Sequence, residues 1–185
     1  YHLIETSTKI TDDGLTYEKL DEEEREQYED EFCEDDGLVD HIPPEKINTY
    51  IFNRDTVDIM ISDLMNHGIK HKNGNHVGKT IIFAQNKRHA KYIIERFDVL
   101  YPQYKGAFCK LVVCDEPYAE KNLEDFKKPD EYPFITVTVD MLETGVDVPE
   151  ITNLVFAKKV YSRIKFEQMI GRGTRLCENL FGEGR

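Results

Sequence analysis

The sequence has 185 residues, of which 39% are hydrophobic and 11% aromatic, enough for the core of one domain of ordinary size with an extension. No apolar run approaches the roughly 20 residues that a membrane helix needs, and residues 1–5 lack an export signal, so we expect a cytoplasmic protein without a membrane partner. The net charge of −12 would by itself argue against a nucleic-acid partner, because phosphate binding requires a basic surface.

The negative charge is concentrated at the amino terminus. Residues 1–50 contain 17 acidic and 4 basic side chains, whereas the following 135 residues contain 19 acidic and 20 basic ones. We therefore expect residues 1–48 to form an acidic helical or linker extension, and residues 49–185 to form a folded domain that is truncated at its carboxyl end. The start at Tyr1 instead of Met is consistent with a chain cut from a longer protein.

Hydrophobic spacing predicts an alternation of helices and strands. A first helix is expected over residues 57–65, with Asp55 as its cap and Gly68 as its end. Apolar runs predict four strands, at residues 81–84, 111–113, 134–139 and 153–157. Amphipathic helices are expected after the first, second and fourth strands: one capped by Asn86, one around residues 118–126, and one through Ile164, Phe166 and Ile170. This pattern predicts an α/β fold with a parallel sheet covered on both faces and lacking an edge strand, whose ligands gather beyond the carboxyl ends of the strands.

The strongest positive charge lies in residues 158–175, which contain six basic side chains and a single acidic one. Within it, Gln168, Arg172 and Arg175 have the i, i+4, i+7 spacing of one helix face. Gly171 and Gly173 each cost a helix about 1 kcal/mol relative to Ala, so we expect the helix to end there and the backbone to approach a ligand. Two guanidinium groups suit a nucleoside triphosphate, although a basic helix end that stabilises the helix dipole is an alternative.

A second candidate segment, residues 139–149, leaves the third predicted strand at the ligand-binding edge. Thr144 and Gly145 offer a hydroxyl and an open backbone N–H to a sugar–phosphate chain. Asp147 can accept a hydrogen bond from a ribose hydroxyl or from an arginine. A loop whose polar groups are satisfied locally is an equally good interpretation of this segment alone.

Together these segments resemble the second RecA-like domain of superfamily 2 helicases. Residues 168–175 look like motif VI, residues 144–149 like motif V and residues 80–85 like motif IV. A narrower similarity, to the motor (restriction) subunit of type I restriction-modification enzymes, extends over nearly the whole chain and is carried by residues 53–57, 78–84, 89–90 and 139–150. Val139 stands where RNA helicases usually have threonine, which argues against a role on RNA.

The resemblance implies a RecA-like parallel sheet flanked by helices, in the C-terminal half of an ATP-driven translocase of double-stranded DNA. It implies arginine fingers at Arg172 and Arg175, nucleotide contacts from Gln168, Gly145 and Asp147, and DNA-backbone contacts from Thr144 and Gln85. ATP and Mg²⁺ would be bound mainly by an N-terminal RecA-like domain of the same parent chain. The parent protein would be an ATP-dependent type I site-specific deoxyribonuclease that works with methylation and specificity subunits, and this fragment alone would be inactive.

Other patterns indicate different chemistry. Gly78-Lys79-Thr80 suggests a P-loop, but the glycine expected five residues earlier is Asn73, and the tripeptide begins a predicted strand instead of following one. Asp115 and Glu116 follow an apolar strand and could hold magnesium, which would make the chain a complete ATPase. We favour a strand end turning at Pro117, because a phosphate cradle is missing.

Three further groups of residues could carry chemistry: histidines, the cations that follow Asn86, and cysteines. His67, His71 and His76 suggest zinc, but no cysteine or fourth ligand is near them and a solvated loop is favoured. Lys87, Arg88 and Lys91 either contact DNA phosphate or form an exposed helix face. The four cysteines form no CxxC pair and are expected to be reduced.

Two rival functions remain open. The chain could be half of an RNA or DNA helicase of another superfamily 2 family, which would bind single-stranded RNA in preference if RNA were its substrate. It could also be a nucleic-acid or protein binding module that uses the same fold without serving an ATPase. A P-loop and an acidic magnesium motif encoded upstream would distinguish the motor from the binding module.

Overall fold

A computed structural model describes residues 15–16, 25, 41–42, 53–113, 116–139 and 151–173. The chain divides into two compact units, Tyr1–Met60 and Ile61–Arg185. In the first unit, the strands β1 (Leu15–Thr16) and β2 (His41–Ile42) pair in antiparallel fashion. This pairing was not predicted from the acidic composition, and the predicted domain boundary near residue 49 stays a prediction.

The first long helix, α1, spans Arg54–His67 and begins earlier than predicted. Its cap is Asn53, whose side-chain oxygen accepts the Thr56 N–H at 2.9 Å and the Thr56 hydroxyl at 2.7 Å. The prediction that Asp55 caps this helix is therefore wrong, because Asn53 satisfies the first-turn donors one residue before the helix. Gly68 follows the last helical residue as predicted, and an added Cβ there would lie 2.5 Å from the Leu64 carbonyl oxygen.

Four parallel strands form the sheet of the second unit, in the order β4-β5-β3-β6. Their bounds are β3 Lys79–Phe83, β4 Cys109–Leu111, β5 Ile135–Thr138 and β6 Ile151–Phe156. The four predicted strands are confirmed, but β3, β4 and β6 each begin two residues earlier than predicted. The strand predicted at 111–113 begins at Cys109, although the Val112 N–H still donates to the Val137 carbonyl at 2.9 Å.

Three helices accompany the sheet: α2 (Lys87–Leu100), α3 (Ala119–Phe126) and α4 (Arg163–Gly173). Asn86 caps α2 as predicted, accepting the His89 N–H at 2.8 Å. Within the described ranges, no helix has both the length and the apolar character needed to cross a bilayer.

Both faces of the central strand β3 are covered. Ile81 and Phe83 point to one face and Thr80 and Ile82 to the other, and all four are fully buried. On the first face, Ile81 and Phe83 pack in one cluster with residues from α3, β6 and α4, namely Phe126, Ile151 and Met169. The buried residues of α2 include Ala90, Ile93 and Phe97, and this helix contacts β4 and β5. The layered α/β architecture expected from the sequence is confirmed.

Candidate nucleotide and nucleic-acid site

The carboxyl ends of the parallel strands define one edge of the sheet. β3 leads there to Gln85, β4 leads to the turn that contains Glu116, and β5 leads to Val139. The loop after β6 returns to this edge, because the Lys158 ammonium donates to the Val139 carbonyl. Three of the predicted site residues that follow β5, Thr144, Gly145 and Asp147, lie outside the described residues, and their roles stay predictions.

Gln85 is exposed at the end of β3, and its main chain is held in place by neighbours. The preceding Ala84 N–H donates to the Thr138 carbonyl of β5 at 2.7 Å. The Gln85 N–H donates to Nδ1 of His89, in the first turn of α2, at 3.3 Å. The side chain of Gln85 is therefore presented to solvent on a main chain anchored to both the sheet and α2.

His89 is fully buried, and this burial lowers its pKa to about 4. The ring is therefore neutral at neutral pH, and because Nδ1 accepts the Gln85 N–H, the ring proton lies on Nε2. Sequence reasoning did not assign this structural role to His89. A signal existed, since His89 precedes Ile93 and Phe97 by four and eight residues and so shares their buried face.

Two lysines of α2 converge on one carboxylate at the same edge. Nζ of Lys87 lies 2.8 Å from Oε1 of Glu116, and Nζ of Lys91 lies 2.9 Å from the same oxygen. The two lysine side chains are about half exposed, whereas only 17% of the Glu116 side chain is accessible. Hydrogen bonds from Lys87 and Lys91 lower the pKa of Glu116, so the carboxylate is ionised at neutral pH. Glu116 thus pairs with two cations, which argues against a magnesium-binding role for it.

Helix α4 carries one predicted site residue whose side chain is described. Ser162 precedes the helix and accepts the Lys165 N–H with its hydroxyl at 3.3 Å. Met169 is buried in the core cluster, whereas the neighbouring Gln168 is exposed. Position 172 follows Gln168 by one turn in the same helix, so the two positions share a face.

Helix α4 continues through Gly171 and ends at Gly173, the second of the two glycines predicted to mark its end. One glycine costs a helix only about 1 kcal/mol relative to alanine, and burial of Met169 two residues earlier offsets this cost. Gly171 is exposed, and an added Cβ would meet no atom within 4 Å. The side chain of Arg172, and Arg175 as a whole, lie outside what the structure describes, so their roles stay predictions.

The Gly78-Lys79-Thr80 tripeptide has a structural role. An added Cβ on Gly78 would overlap the Thr152 hydroxyl, and the Thr80 hydroxyl donates to the Gly78 carbonyl at 2.8 Å. The buried Lys79 ammonium donates to the carbonyl oxygens of Glu131 and Pro133, each at 2.8 Å. It also lies 4.6 Å from the centroid of the Phe134 ring. The tripeptide begins β3, at the edge opposite Gln85, so it does not form a P-loop.

The predicted zinc candidates have other neighbours. His67 ends α1 beside Asp63, while the rings of His71 and His76 stack with centroids 5.0 Å apart. Nε2 of His71 lies 3.1 Å from Oδ1 of Asp130. No group of three potential ligands occurs among residues that the structure describes.

Cys109 has a free and buried thiol, and burial raises its pKa. This agrees with the expectation of a reduced structural cysteine. Cys33, Cys114 and Cys177 lie outside the described residues.

Comparison with known proteins decides the family. Residues 56–177, about two thirds of the chain, match the family model of the helicase conserved C-terminal domain. The chain belongs to this helicase family. The four-stranded parallel sheet with flanking helices is the RecA-like fold of a helicase C-terminal domain, as the sequence predicted.

This helicase C-terminal domain is similar to type I restriction enzymes. It is 43% identical over 107 residues to the EcoKI endonuclease subunit of Escherichia coli strain K12, covering 54% of this chain and 9% of that protein. It is 31% identical over 111 residues to the EcoAI endonuclease subunit of Escherichia coli, covering 58% of this chain and 14% of that protein. The predicted resemblance is thereby confirmed, and the helicase domain spans only a small part of the length of these relatives.

A solved structure shows the same similarity. It is described as a fragment of an HsdR subunit of a type I restriction enzyme from Vibrio vulnificus YJ016. The match has a TM-score of 0.59 and 28% sequence identity, and it covers 70% of this chain and 26% of that chain.

Proposed function

We propose that the chain is the C-terminal motor domain of a type I restriction subunit, and that it completes the ATPase of a translocase of double-stranded DNA. The observation that carries this proposal is the 43% identity to the EcoKI endonuclease subunit. Because the chain corresponds to only 9% of that subunit, the nuclease and most of the nucleotide site would lie elsewhere in the parent protein.

Arg172 and Arg175 would stabilise negative charge on the transferring phosphate of ATP, as arginine fingers do. An N-terminal RecA-like domain of the same parent chain would hold most of the ATP and its Mg²⁺. Gln168, Gly145 and Asp147 would contact the nucleotide from this side. The exposure of Gln168 beside the buried Met169 supports this assignment, because a contact with another domain requires an accessible side chain.

Thr144 and Gln85 would contact the DNA backbone. The geometry around Gln85 supports this role, since its side chain is exposed while its main chain is fixed through Ala84 and His89. Closure and opening of the two RecA-like domains would then convert ATP hydrolysis into movement along DNA. Methylation and specificity subunits would complete the assembly, and the specificity subunit would choose the DNA site.

Duplex DNA is expected to stimulate ATP hydrolysis by the full-length protein. Single-stranded RNA of matched length is expected to give no stimulation. A coupled ATPase assay with DNA, with RNA and without nucleic acid tests this expectation.

The isolated 185 residues should show negligible ATPase and weak, salt-sensitive DNA affinity, because half of each site would be contributed by other parts of the parent protein.

Three outcomes would redirect the proposal. Stronger stimulation by RNA would indicate a helicase of another family. Absence of any ATPase in the full-length protein would indicate a binding module. Rapid turnover by the 185 residues alone would make Asp115 and Glu116 candidates for a magnesium site again.

Gly171→Ala is expected to lower DNA-stimulated ATPase by at least about tenfold without lowering stability. Alanine favours the helix by about 1 kcal/mol and meets no neighbour at this position, so thermal unfolding should be unchanged or slightly higher. The added methyl group would, however, obstruct the approach of the nucleotide-bearing domain to the α4 backbone. ATPase rates and thermal unfolding of the full-length variant check this, and an unchanged rate would contradict a close approach at Gly171.

A further inference from the structure

The lysine–glutamate cluster, Lys87, Lys91 and Glu116, has a geometry that a stability role alone does not explain. Two ammonium groups from successive turns of α2 reach a single oxygen, at 2.8 and 2.9 Å. Ion pairs between half-exposed lysines and a carboxylate contribute little net stability, because water solvates the separated charges almost as well. The arrangement does hold two flexible lysines in one orientation at the carboxyl edge of the sheet.

The carboxylate oxygen occupies a position that suits a phosphate oxygen. Both groups are anionic oxygen acceptors, and ammonium donors bind either at similar distances. The two lysines remain 44% and 50% exposed, so a phosphate in solvent can reach them. The side chain of Glu116 is 17% exposed. The cluster has a net charge of +1 with the carboxylate and would have +2 without it.

We propose that Lys87 and Lys91 form a DNA-phosphate subsite that the Glu116 carboxylate fills when DNA is absent. Glu116 then competes with the DNA backbone and sets the affinity of the domain below the maximum that its two lysines allow. This inference rests on the proposed function in taking DNA as the source of the phosphate. It assigns a role to Lys87, Lys91 and Glu116, which have none in the proposed function.

The position of the cluster favours DNA over ATP as the phosphate source. Lys87 follows Gln85 by two residues, and Glu116 follows β4, so the cluster lies where β3 and β4 end. Gln85, the proposed DNA-backbone contact, lies only two residues before Lys87, between β3 and α2. A DNA strand that contacted Gln85 would therefore pass close to the cluster.

A carboxylate that competes with DNA phosphate suits a protein that must release DNA repeatedly as it moves. Each DNA phosphate that leaves is replaced by the Glu116 carboxylate, so the lysines need not be resolvated at every step. The same replacement reduces the gain from counterion release on binding, and with it the dependence of DNA affinity on salt.

The test is direct DNA binding by the full-length protein, without ATP, measured by fluorescence anisotropy with a short labelled duplex across a range of salt concentrations. Glu116→Gln keeps the shape and the hydrogen-bond acceptor and removes the charge. It should tighten DNA binding about three- to tenfold at low salt and steepen the salt dependence of log K by up to about one. The KM for ATP should be unchanged, which separates DNA phosphate from ATP phosphate.

Glu124→Gln is the matched control. Its carboxylate pairs with Lys127 at 2.7 Å, so the chemical change is the same. It lies on α3 close to Phe126, whose ring is 5.1 Å from Lys79 Nζ at the start of β3, and hence near the opposite edge of the sheet. DNA affinity should not change in this variant.

Lys87→Gln combined with Lys91→Gln should weaken DNA binding several-fold and should abolish the gain from Glu116→Gln, since the gain acts through these lysines. The inference is overturned if Glu116→Gln leaves DNA affinity unchanged or lowers it in a normally folded protein. It is also overturned if Glu124→Gln gives the same gain, if the KM for ATP shifts instead, or if the double lysine variant binds like the wild type. The proposed function stands or falls separately, on DNA-stimulated ATPase.

Discussion

Replacing Arg172 or Arg175 with alanine is expected to reduce DNA-stimulated ATP hydrolysis by the full-length protein by about 10³- to 10⁵-fold. An arginine finger contributes a factor of this size because its guanidinium group neutralises charge that develops on the transferring phosphate. DNA affinity in the absence of ATP should change little, since the fingers act on the nucleotide. Single-turnover ATPase and DNA-binding measurements on the same preparations check both parts.

Arg163→Ala is the control on the same helix. Arg163 is exposed and pairs with Glu167 at 2.8 Å, one turn along the surface of α4, so its loss should leave ATPase near the wild-type rate. Arg172→Lys and Arg175→Lys should recover only part of the activity, because an ammonium group lacks the planar fork that matches phosphate oxygens. Retention of full activity by both alanine variants would remove the basis for the arginine-finger assignment.

Lys79→Met is expected to destabilise the domain by about 2–4 kcal/mol. The Lys79 ammonium makes charge-assisted hydrogen bonds to the carbonyl oxygens of Glu131 and Pro133, and methionine would leave both acceptors unsatisfied in the interior. Loss of the cation over the Phe134 ring adds to the cost. A P-loop lysine would behave in the opposite way, with ATP binding lost and stability retained.

Thermal unfolding of the full-length protein, followed together with ATP binding, distinguishes the two interpretations. Lys72→Met is the matched control, because Lys72 pairs with Asp130 at 2.8 Å but its side chain is 53% exposed. This control should shift unfolding by much less than Lys79→Met. Equal stability of Lys79→Met and the wild type would show that the buried ammonium is not needed for folding.

The fold was largely predictable because its signals are local. The apolar runs and helical spacings predicted the four strands and the helices around them, and Asn86 indicated the start of α2. One error arose where two neighbouring residues could serve the same role. Asp55 is predicted as the cap of α1, whereas Asn53, two residues earlier, accepts the first-turn hydrogen bonds.

The candidate site was less predictable, because its geometry depends on residues distant in sequence. The sequence favours a strand end over a magnesium site for Glu116, and it leaves Lys87 and Lys91 as either DNA-phosphate contacts or an exposed helix face. Their convergence follows from β4 ending close to the start of α2. The support that His89 gives to Gln85 required knowing which ring nitrogen faces the main chain, which no spacing rule supplies.

The tripeptide at the start of β3 bears on how genomes are searched with short patterns. In a parallel sheet, all strands begin at one edge and end at the opposite edge, and the two edges differ chemically. Gly78, Lys79 and Thr80 lie at the edge where the strands begin. At that edge Gly78 leaves room for the Thr152 hydroxyl, and the Lys79 ammonium donates to a loop carbonyl, that of Pro133. After a strand, the same three residues could bind a triphosphate. A search for these three residues alone, without the earlier glycine and the preceding strand, would therefore assign a nucleotide site to this sequence incorrectly.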